Sequence, residues 1–374
     1  MQFSDVIGQQ EIKTLLRRQL EEGHVPHAQL FCGAAGSGQL AMALAYASAL
    51  LCRHPQAQEA CGQCPSCKML ESWCHPDLHF VFPVVKPAGS SEAVSDLYLR
   101  EWREQLADTP YFDHLSWLRR IGVENQQSLI SVAESDLILR KLSLAASQGG
   151  YKVMIIWLPE QMNAAAANKL LKILEEPPGQ TVFLLVSEHP ERLLSTILSR
   201  TQQIVFPALT TADLEQVLTE RHHLQPDDAR TVARLSTGSY VRALQEVLVH
   251  EDNAMFFDLF VLLMRLSYLR KIKDLHEWAE QVASWGRERQ KNFLDYCQRL
   301  VRENFIYNFR QPELNYLNRK EADFAVNFAR FINERNVIPI TEEIADAQRD
   351  IEQNVNPHMV FFDFALKMIV LLLR

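Results

Sequence analysis

The sequence predicts an α/β domain with a mainly parallel sheet and a phosphate-binding loop, followed by a region of helices only. The first observation is a glycine-rich segment, Gly33-Ala34-Ala35-Gly36-Ser37-Gly38-Gln39-Leu40, between a strand pattern and a helical pattern. The second is that helical patterns separate several apolar strand patterns, which is typical of parallel sheets with crossover helices. The third is that strand patterns are absent from Thr210 onward.

Five short apolar segments have the composition of strands, at residues 27–32, 78–82, 153–156, 182–186 and 203–206. The segment 40–51 is rich in Ala and Leu and predicts a helix that begins at the glycine-rich loop. A strand, a loop and a helix in this order make a match to a phosphate-binding loop fairly specific.

The glycine-rich loop has the glycines of a working nucleotide site but lacks its other chemical groups. In G-x-x-x-x-G-K-[ST], glycines such as Gly33, Gly36 and Gly38 let backbone N–H groups surround phosphate, the lysine supplies charge, and the hydroxyl binds Mg²⁺. Gln39 stands at the lysine position and gives up a charge-assisted contact worth roughly 1.5–3 kcal/mol. Leu40 stands at the hydroxyl position and offers Mg²⁺ no oxygen.

A second part of the phosphoryl-transfer machinery is also missing. In P-loop ATPases the strand that corresponds to 153–156 ends in acidic residues that hold Mg²⁺ and polarise water. Here the strand runs into Trp157 and Leu158, which can neither bind a metal nor accept a proton. We therefore expect no ATP hydrolysis by this chain alone and no productive ATP binding.

The segments around and after the strands divide the chain further. We expect an α/β domain over 1–207, a small lid of three helices at 213–221, 227–235 and 240–249 within 208–249, and an all-helical domain over 250–374. An insertion of about 83–120 opens with a loop at 86–91. Its aromatic residues indicate that it packs against the domain; they are Trp102, Tyr111, Phe112 and Trp117.

Four cysteines within a short window predict a structural zinc module over about 52–74. Cys52, Cys61, Cys64 and Cys67 have the spacing C-x8-C-x2-C-x2-C, which lets four thiolates converge on one tetrahedral Zn²⁺ with no open position. An intracellular setting disfavours disulfides. Two alternatives remain open: a reduced cluster without metal, and replacement of Cys52 as a ligand by Cys74, His54 or His75.

The composition is that of an ordinary globular protein. The 374 residues are 47% hydrophobic and 22% charged, and their net charge of −8 argues against wrapping nucleic acid over the whole surface. No apolar run has the length of a membrane span, and the N-terminus lacks a basic segment followed by an apolar one. We expect a cytoplasmic protein with no membrane association.

Several motifs together resemble the clamp-loader subunits of bacterial DNA polymerase III, and most closely the delta-prime group, over residues 1 to about 250. The resemblance is carried by Phe3-Ser4-Asp5-Val6-Ile7-Gly8-Gln9, the glycine-rich loop, the four cysteines, Asn168-Lys169-Leu170-Leu171-Lys172-Ile173-Leu174-Glu175-Glu176-Pro177-Pro178, and Leu198-Ser199-Arg200-Thr201. It implies an AAA+-like domain and a C-terminal collar that joins the subunits.

The resemblance also implies a role for Arg200. The family's Ser-Arg-Cys motif corresponds to Ser199-Arg200-Thr201, and its arginine reaches the γ-phosphate bound by a neighbouring subunit as a finger supplied in trans. Without the resemblance, Arg200 would be interpreted as a solvated residue at a helix end. The family's lid arginine is displaced, because Val241 stands at its position and Arg242 follows one residue late, turned by about 100°.

The implied partners are gamma/tau-type ATPase subunits, a delta subunit, the sliding clamp, and primed DNA through the assembly. The chain would then be an inactive stator within the DNA-directed DNA polymerase holoenzyme. Lys169 and Lys172 either form a solvated charged face or help to line the DNA-facing channel. Two rival functions are an active gamma/tau-type ATPase subunit and a zinc-dependent DNA-binding adaptor.

Overall fold

A five-stranded parallel sheet organises the N-terminal part of the chain. The protein is represented by a computed structural model, which describes residues 1–87, 92–124, 126–309, 317 and 319–373. The strands are β1 (Ala28–Cys32), β2 (Leu78–Val81), β3 (Lys152–Trp157), β4 (Thr181–Ser187) and β5 (Gln202–Val205). They lie in the order β2-β3-β4-β1-β5, and every neighbouring pair is parallel. The predicted parallel sheet is confirmed, with strand ends shifted by one residue.

The central strands are buried along their whole length, which explains why their sequences are mostly apolar. Every residue of β1, β3 and β4 is buried, since helices cover both faces of a parallel sheet. The register places Leu30 of β1 opposite Leu185 of β4, and Ile155 of β3 opposite Leu184. This register brings the carboxyl ends of β1, β3 and β4 to one edge of the sheet.

The helices of this part connect the strands and cover the sheet. They are α1 (Gln10–Glu21), α2 (Gln39–Leu51), α3 (Pro65–Glu71), α4 (Leu99–Asp108), α5 (His114–Arg120), α6 (Val132–Ser143), α7 (Ala164–Glu175), α8 (Ser195–Leu198), α9 (Thr211–His222) and α10 (Pro226–Leu235). The helix expected at 40–51 is thus present, as α2. Ser131 and Asn163 cap α6 and α7 by accepting hydrogen bonds from first-turn amides.

The insertion that follows β2 folds as a helical segment around buried aromatic rings. It contains α4 and α5, and Trp102 and Trp117 are fully buried. The prediction that its aromatic residues pack is therefore confirmed. Positions 88–91 of the predicted opening loop lie outside the described residues.

The third of the helices expected within 208–249 is longer than the sequence predicts. The helix predicted at 240–249 is α11 (Tyr240–Leu269), because no glycine or proline interrupts the segment. The chain divides into two compact units, Met1–Glu246 and Val247–Arg374. The first unit thus contains the sheet, the insertion, α9, α10 and the beginning of α11.

The second unit contains helices among its described residues. After α11 these are α12 (Ile272–Ala283), α13 (Arg287–Tyr307), α14 (Arg319–Phe328), α15 (Val337–Glu352) and α16 (Pro357–Leu371). They share a core with the fully buried rings of Phe260, Phe293 and Phe361. Positions 310–316, 318 and 374 of the all-helical region expected over 250–374 lie outside the described residues. In the described part of the chain, no helix combines the length and apolar character that crossing a membrane requires.

Candidate functional site

The side chain of Gln39 is turned into the glycine-rich loop. Gln39 is the first residue of α2 and is 4% exposed. Its Nε2 donates to the carbonyl oxygens of Gly33 at 2.6 Å and Ala34 at 3.0 Å. An amide nitrogen carries two hydrogens, so both donors of Gln39 are used within the loop itself.

The residues at the beginning of α11 lie directly on this loop. The Ser239 hydroxyl donates to the Ala35 carbonyl oxygen at 2.7 Å. The Tyr240 N–H donates to the Gly36 carbonyl oxygen at 3.2 Å. A Cβ atom on Gly36, whose φ is +85°, would lie 2.5 Å from the Ser239 oxygen. In this structure Gly36 is therefore required by the close approach of Ser239.

The cleft above the loop is filled by protein side chains. Its remaining cavity is about 10 Å³, which is room for about one water molecule. Leu40 and Trp157 line it together with Tyr111 and Phe112 of the insertion. Trp157 is 2% exposed, and its ring centroid lies 5.0 Å from that of Phe112. Leu158, the next residue, is also buried, so the predicted loss of acidic side chains from the end of β3 leaves an apolar wall there.

An acidic side chain also lines this cleft. Glu188 follows β4, and burial, with Glu160 and Asp113 nearby, raises its carboxyl pKa to about 7. Glu160 Oε1 accepts hydrogen bonds from the backbone amides of Glu188 and His189. Near neutral pH, Glu188 therefore carries a partial negative charge, which repels phosphate but also offers a metal ion an oxygen ligand.

Arg200 lies outside the cleft, beyond the end of α8. Its Nε donates to Glu175 Oε2 at 3.0 Å, and its Nη1 donates to the Thr196 carbonyl oxygen at 3.1 Å. The Arg200 side chain is 32% exposed and that of Glu175 is 60% exposed. Ser199 is exposed and donates to the same Thr196 carbonyl oxygen. The guanidinium is thus accessible at the surface and held by one exposed carboxylate.

The other charged candidates point elsewhere. Arg242 is exposed and donates to the Thr237 hydroxyl. Val241, the residue before it, is buried. The Lys169 ammonium bonds both carboxylate oxygens of Asp136 at 2.8 and 2.9 Å on an exposed face.

The four predicted cysteines meet at one point. The sulfur atoms of Cys52, Cys61, Cys64 and Cys67 all lie within 4.8 Å of one another. The Cys52 sulfur is 3.9 Å from that of Cys64 and 3.6 Å from that of Cys67. Zn–S bonds of about 2.3 Å place tetrahedral sulfurs about 3.8 Å apart. The donor set therefore fits a tetrahedral zinc ion.

Backbone amides donate hydrogen bonds to three of the four sulfur atoms. The amides of Cys61, Cys64 and Cys67 donate to the sulfurs of Cys52, Cys61 and Cys64, at 3.3 to 3.4 Å. Burial raises the pKa of the Cys64 thiol, but hydrogen bonds from backbone amides and neighbouring thiols outweigh burial and lower this pKa to about 6. The lowered pKa favours the thiolate of Cys64, which is the form that binds a metal, whereas burial raises the pKa of the Cys52 and Cys67 thiols.

The alternative ligands lie outside this group. Cys74 is exposed, and its thiol donates to the Ser72 carbonyl oxygen. His75 is buried, and its Nδ1 accepts from the Asp77 amide. The geometry thus favours Cys52 as the fourth sulfur.

Sequence reasoning did not place Tyr111, Phe112 or Glu188 at the cleft. The aromatic residues were expected to pack, but they lie far along the chain from the glycine-rich loop, so the sequence did not show that they contact the cleft. A glutamate directly after a buried strand was a signal that could have identified Glu188, since β4 ends at the same edge of the sheet as β1 and β3.

Comparisons with known proteins agree on one family. The family model described as DNA polymerase III, delta subunit, matches residues 8–210, more than half of the chain. DNA polymerase III subunit delta' of Bacillus subtilis is 32% identical over 61% of this chain and 56% of its own length. The corresponding protein of Pseudomonas aeruginosa is 35% identical over 48% of this chain and 43% of its own length.

DNA polymerase III subunit tau of Escherichia coli is also similar, with 29% identity over 65% of this chain and 32% of its own length. The chain spans about half the length of the delta' relatives that it matches. A solved gamma subunit-related protein of Thermotoga maritima covers 96% of this chain and 99% of its own, with 14% identity and a TM-score of 0.37, too low to support a shared fold. The matched family and the delta' relatives show that the chain belongs to the DNA polymerase III delta-subunit family of clamp-loader proteins.

Proposed function

We propose that this chain is a delta-prime-type clamp-loader subunit that does not hydrolyse ATP and serves as a stator. The observation that carries the proposal is the filled cleft, together with membership of the family. A nucleotide needs a concave site of several hundred Å³, whereas this cleft retains about 10 Å³. The loop would then serve as architecture that supports the lid.

The chemistry of the cleft supports the same conclusion. Leu40 and Trp157 provide no oxygen for Mg²⁺, which prefers oxygen ligands. Gln39 supplies no positive charge where the lysine of a working loop would meet phosphate. Both effects disfavour binding of a nucleotide that carries phosphates. They also argue against the rival function of an active gamma/tau-type ATPase subunit.

Arg200 is the residue that we propose acts on a neighbouring subunit. It would supply a guanidinium in trans to the γ-phosphate held by a gamma/tau-type ATPase subunit. An exposed ion pair such as Arg200 with Glu175 is worth about 0.2–1 kcal/mol, so exchanging Glu175 for phosphate oxygens costs little. Ser199 would contribute to the same surface.

Zinc would be a structural ion in this subunit. Cys52, Cys61, Cys64 and Cys67 would hold it, and a complete shell of four thiolates leaves no position for substrate. The ion would fix the segment between α2 and β2. The same thiolates would keep α3 anchored, because Cys64 caps this helix.

The remaining partners follow from the proposed role. In the cytoplasm the subunit would assemble with gamma/tau-type subunits and a delta subunit through its C-terminal unit, and the assembly would place the sliding clamp on primed DNA. The lid would be the segment 208–249 and the collar 250–374. The subunit would thus belong to the DNA-directed DNA polymerase holoenzyme without being its catalyst.

Substitution of Arg200 tests this function in a reconstituted loader. Arg200→Ala should lower clamp-loading rate and, in part, steady-state ATPase activity. Loss of an arginine finger costs on the order of 10³–10⁵ in rate at the site that it serves, while the other sites keep their own fingers. Arg200→Lys should rescue poorly, since an ammonium cannot reproduce the planar fork of a guanidinium.

Arg192→Ala is the matched control, since Arg192 is an exposed arginine eight positions earlier. This variant should load clamps at the wild-type rate. If the Arg200→Ala loader assembles normally and also loads clamps at the wild-type rate, Arg200 is a surface charge and the proposed trans role is wrong.

A further inference from the structure

The insertion after β2 carries one segment, Pro110-Tyr111-Phe112, into the cleft above the glycine-rich loop. We propose that Tyr111 acts as an internal ligand that takes the place of a bound nucleotide in fixing the lid on the loop. The contacts that Tyr111 makes with the glycine-rich loop and with Tyr240 are together called the clasp below. The clasp assigns a function to the insertion, for which the motifs of the sequence gave none.

The insertion is anchored firmly enough to serve this purpose. The ring of Phe82, just after β2, stacks on Trp102 at 4.1 Å between centroids, and Trp117 packs edge-on against Trp102 at 5.1 Å. The Trp117 indole N–H also donates to the Pro83 carbonyl oxygen at 2.9 Å. Phe112 completes the cluster by packing edge-on against Trp102. The position of Tyr111 is therefore set by a buried aromatic cluster next to it in sequence.

Tyr111 contacts three separate parts of the first unit. Its hydroxyl accepts the backbone N–H of Ile7 at 2.9 Å, and its ring packs edge-on against Tyr240 with centroids 5.0 Å apart. A Cβ atom on Gly38 would lie 3.5 Å from the Tyr111 ring and hydroxyl. Tyr111 is 4% exposed. One side chain thus joins the N-terminal segment, the loop and the lid.

The lid side of the clasp is held equally well. Tyr240 is 4% exposed, its N–H donates to the Gly36 carbonyl oxygen, and its hydroxyl lies 2.8 Å from His222 Nε2 in α9. Through this hydroxyl, the contact of Tyr111 with Tyr240 extends to α9. Displacing Tyr111 would remove the ring that packs against Tyr240, and Tyr240 is the residue that contacts His222.

A covalently attached side chain differs from a nucleotide in one important way. A nucleotide between a loop and a lid is exchanged, so the lid position depends on which nucleotide is bound. Tyr111 cannot be exchanged, and the lid therefore stays in one position whatever the nucleotide concentration. The role of the clasp in the assembly rests on the proposed stator function. The clasp itself can be tested in the isolated chain.

Hydrogen–deuterium exchange of the full-length chain tests the clasp. Tyr111→Leu keeps an apolar side chain in the cleft but loses the ring pair and the hydroxyl. Amides of α9 and α10 should then exchange faster, by up to about tenfold, because the variant loses the edge-on aromatic pair. Amides of β3 and β4 should keep wild-type protection.

A second variant separates the ring from the hydroxyl. Tyr111→Phe keeps the ring pair with Tyr240, so the lid helices should exchange as in the wild type while the Ile7 amide exchanges faster. Tyr46→Phe is the matched control, because Tyr46 is also buried and its hydroxyl donates to Gln19 at 2.8 Å, away from the lid. This control should change neither the Ile7 amide nor the lid helices.

The clasp is refuted if folded Tyr111→Leu protein exchanges in α9 and α10 at the wild-type rate. It is also refuted if exchange accelerates equally in the lid and in β3 and β4, since that is global destabilisation. The loader assay with Arg200→Ala is independent of this result. A failed clasp with a slow Arg200→Ala loader would leave the stator role standing, and a confirmed clasp with a normal Arg200→Ala loader would remove only the trans role.

Discussion

Gln39 has two amide hydrogens, and the carbonyl oxygens of Gly33 and Ala34 accept both. A lysine at this position would have to direct an ammonium at phosphate, whereas the glutamine satisfies the loop in the absence of any ligand. Glu188, across the same cleft, is held partly protonated by burial. These two side chains make the loop self-sufficient and unfavourable for an anion.

Gln39→Lys should therefore fail to restore nucleotide binding. Leu40 and Trp157 still give Mg²⁺ no oxygen, and the cleft remains filled. A ligand at 100 times its Kd stabilises a fold by about 2.7 kcal/mol, which would raise Tm by several degrees. We expect no shift from millimolar Mg-ATP and no ATPase activity, in the variant or in the wild-type chain. Mg²⁺-dependent turnover by the isolated wild-type chain would refute the inactive-subunit proposal.

At the scale of elements, the cysteine segment joins α2 to β2 with little regular structure. Cys52 ends α2, and Cys64 caps the seven-residue α3. The four cysteines and Ala60 form one small cluster in this segment, and Leu70 and Trp73 nearer to β2 are also buried. Within residues 53–63 only Ala60 is buried, so a metal ion would contribute much of the order there.

Cys52→Ser and Cys74→Ser form a matched pair for the zinc proposal. Wild-type protein and Cys74→Ser should each contain about one zinc ion per chain by elemental analysis, since one site of four thiolates is present. Cys52→Ser should contain much less and be cut faster by protease between residues 53 and 63. Metal-free protein after anaerobic preparation, with all four thiols freely titratable, would contradict the proposal.

The elements also show what a sequence can and cannot predict. Strands β1, β3 and β4 were predictable because both of their faces are buried, which makes their sequences mainly apolar, although Gln29 of β1 is a buried polar residue. The convergence of four cysteines followed from short spacing. The contact of Tyr111 with Tyr240 did not, because it depends on how the insertion folds in space. The end of α11 was missed because the boundary between the two units falls within this helix, and no glycine or proline marks it in the sequence.

At the scale of the whole molecule, charge sets the relation to DNA. A net charge of −8 opposes binding to a polyanion unless a basic face is concentrated elsewhere. Lys169 is already paired with Asp136, which reduces its attraction for phosphate. In the proposed assembly, other subunits would supply most of the positive charge around primed DNA.

The isolated chain should therefore bind primed DNA weakly, with a Kd above about 10⁻⁵ M at physiological salt. The salt dependence should be shallow, because each phosphate contact adds about 0.9 to the slope of log K against log salt and few contacts are expected. Fluorescence anisotropy measures both quantities, and the reconstituted loader with ATP, on the same DNA, is the positive control. A zinc-dependent adaptor would behave differently. It would bind DNA alone at submicromolar concentration and lose that binding in Cys52→Ser but not in Cys74→Ser. That result would replace the stator with the adaptor, since a stator contributes to DNA binding only within its assembly.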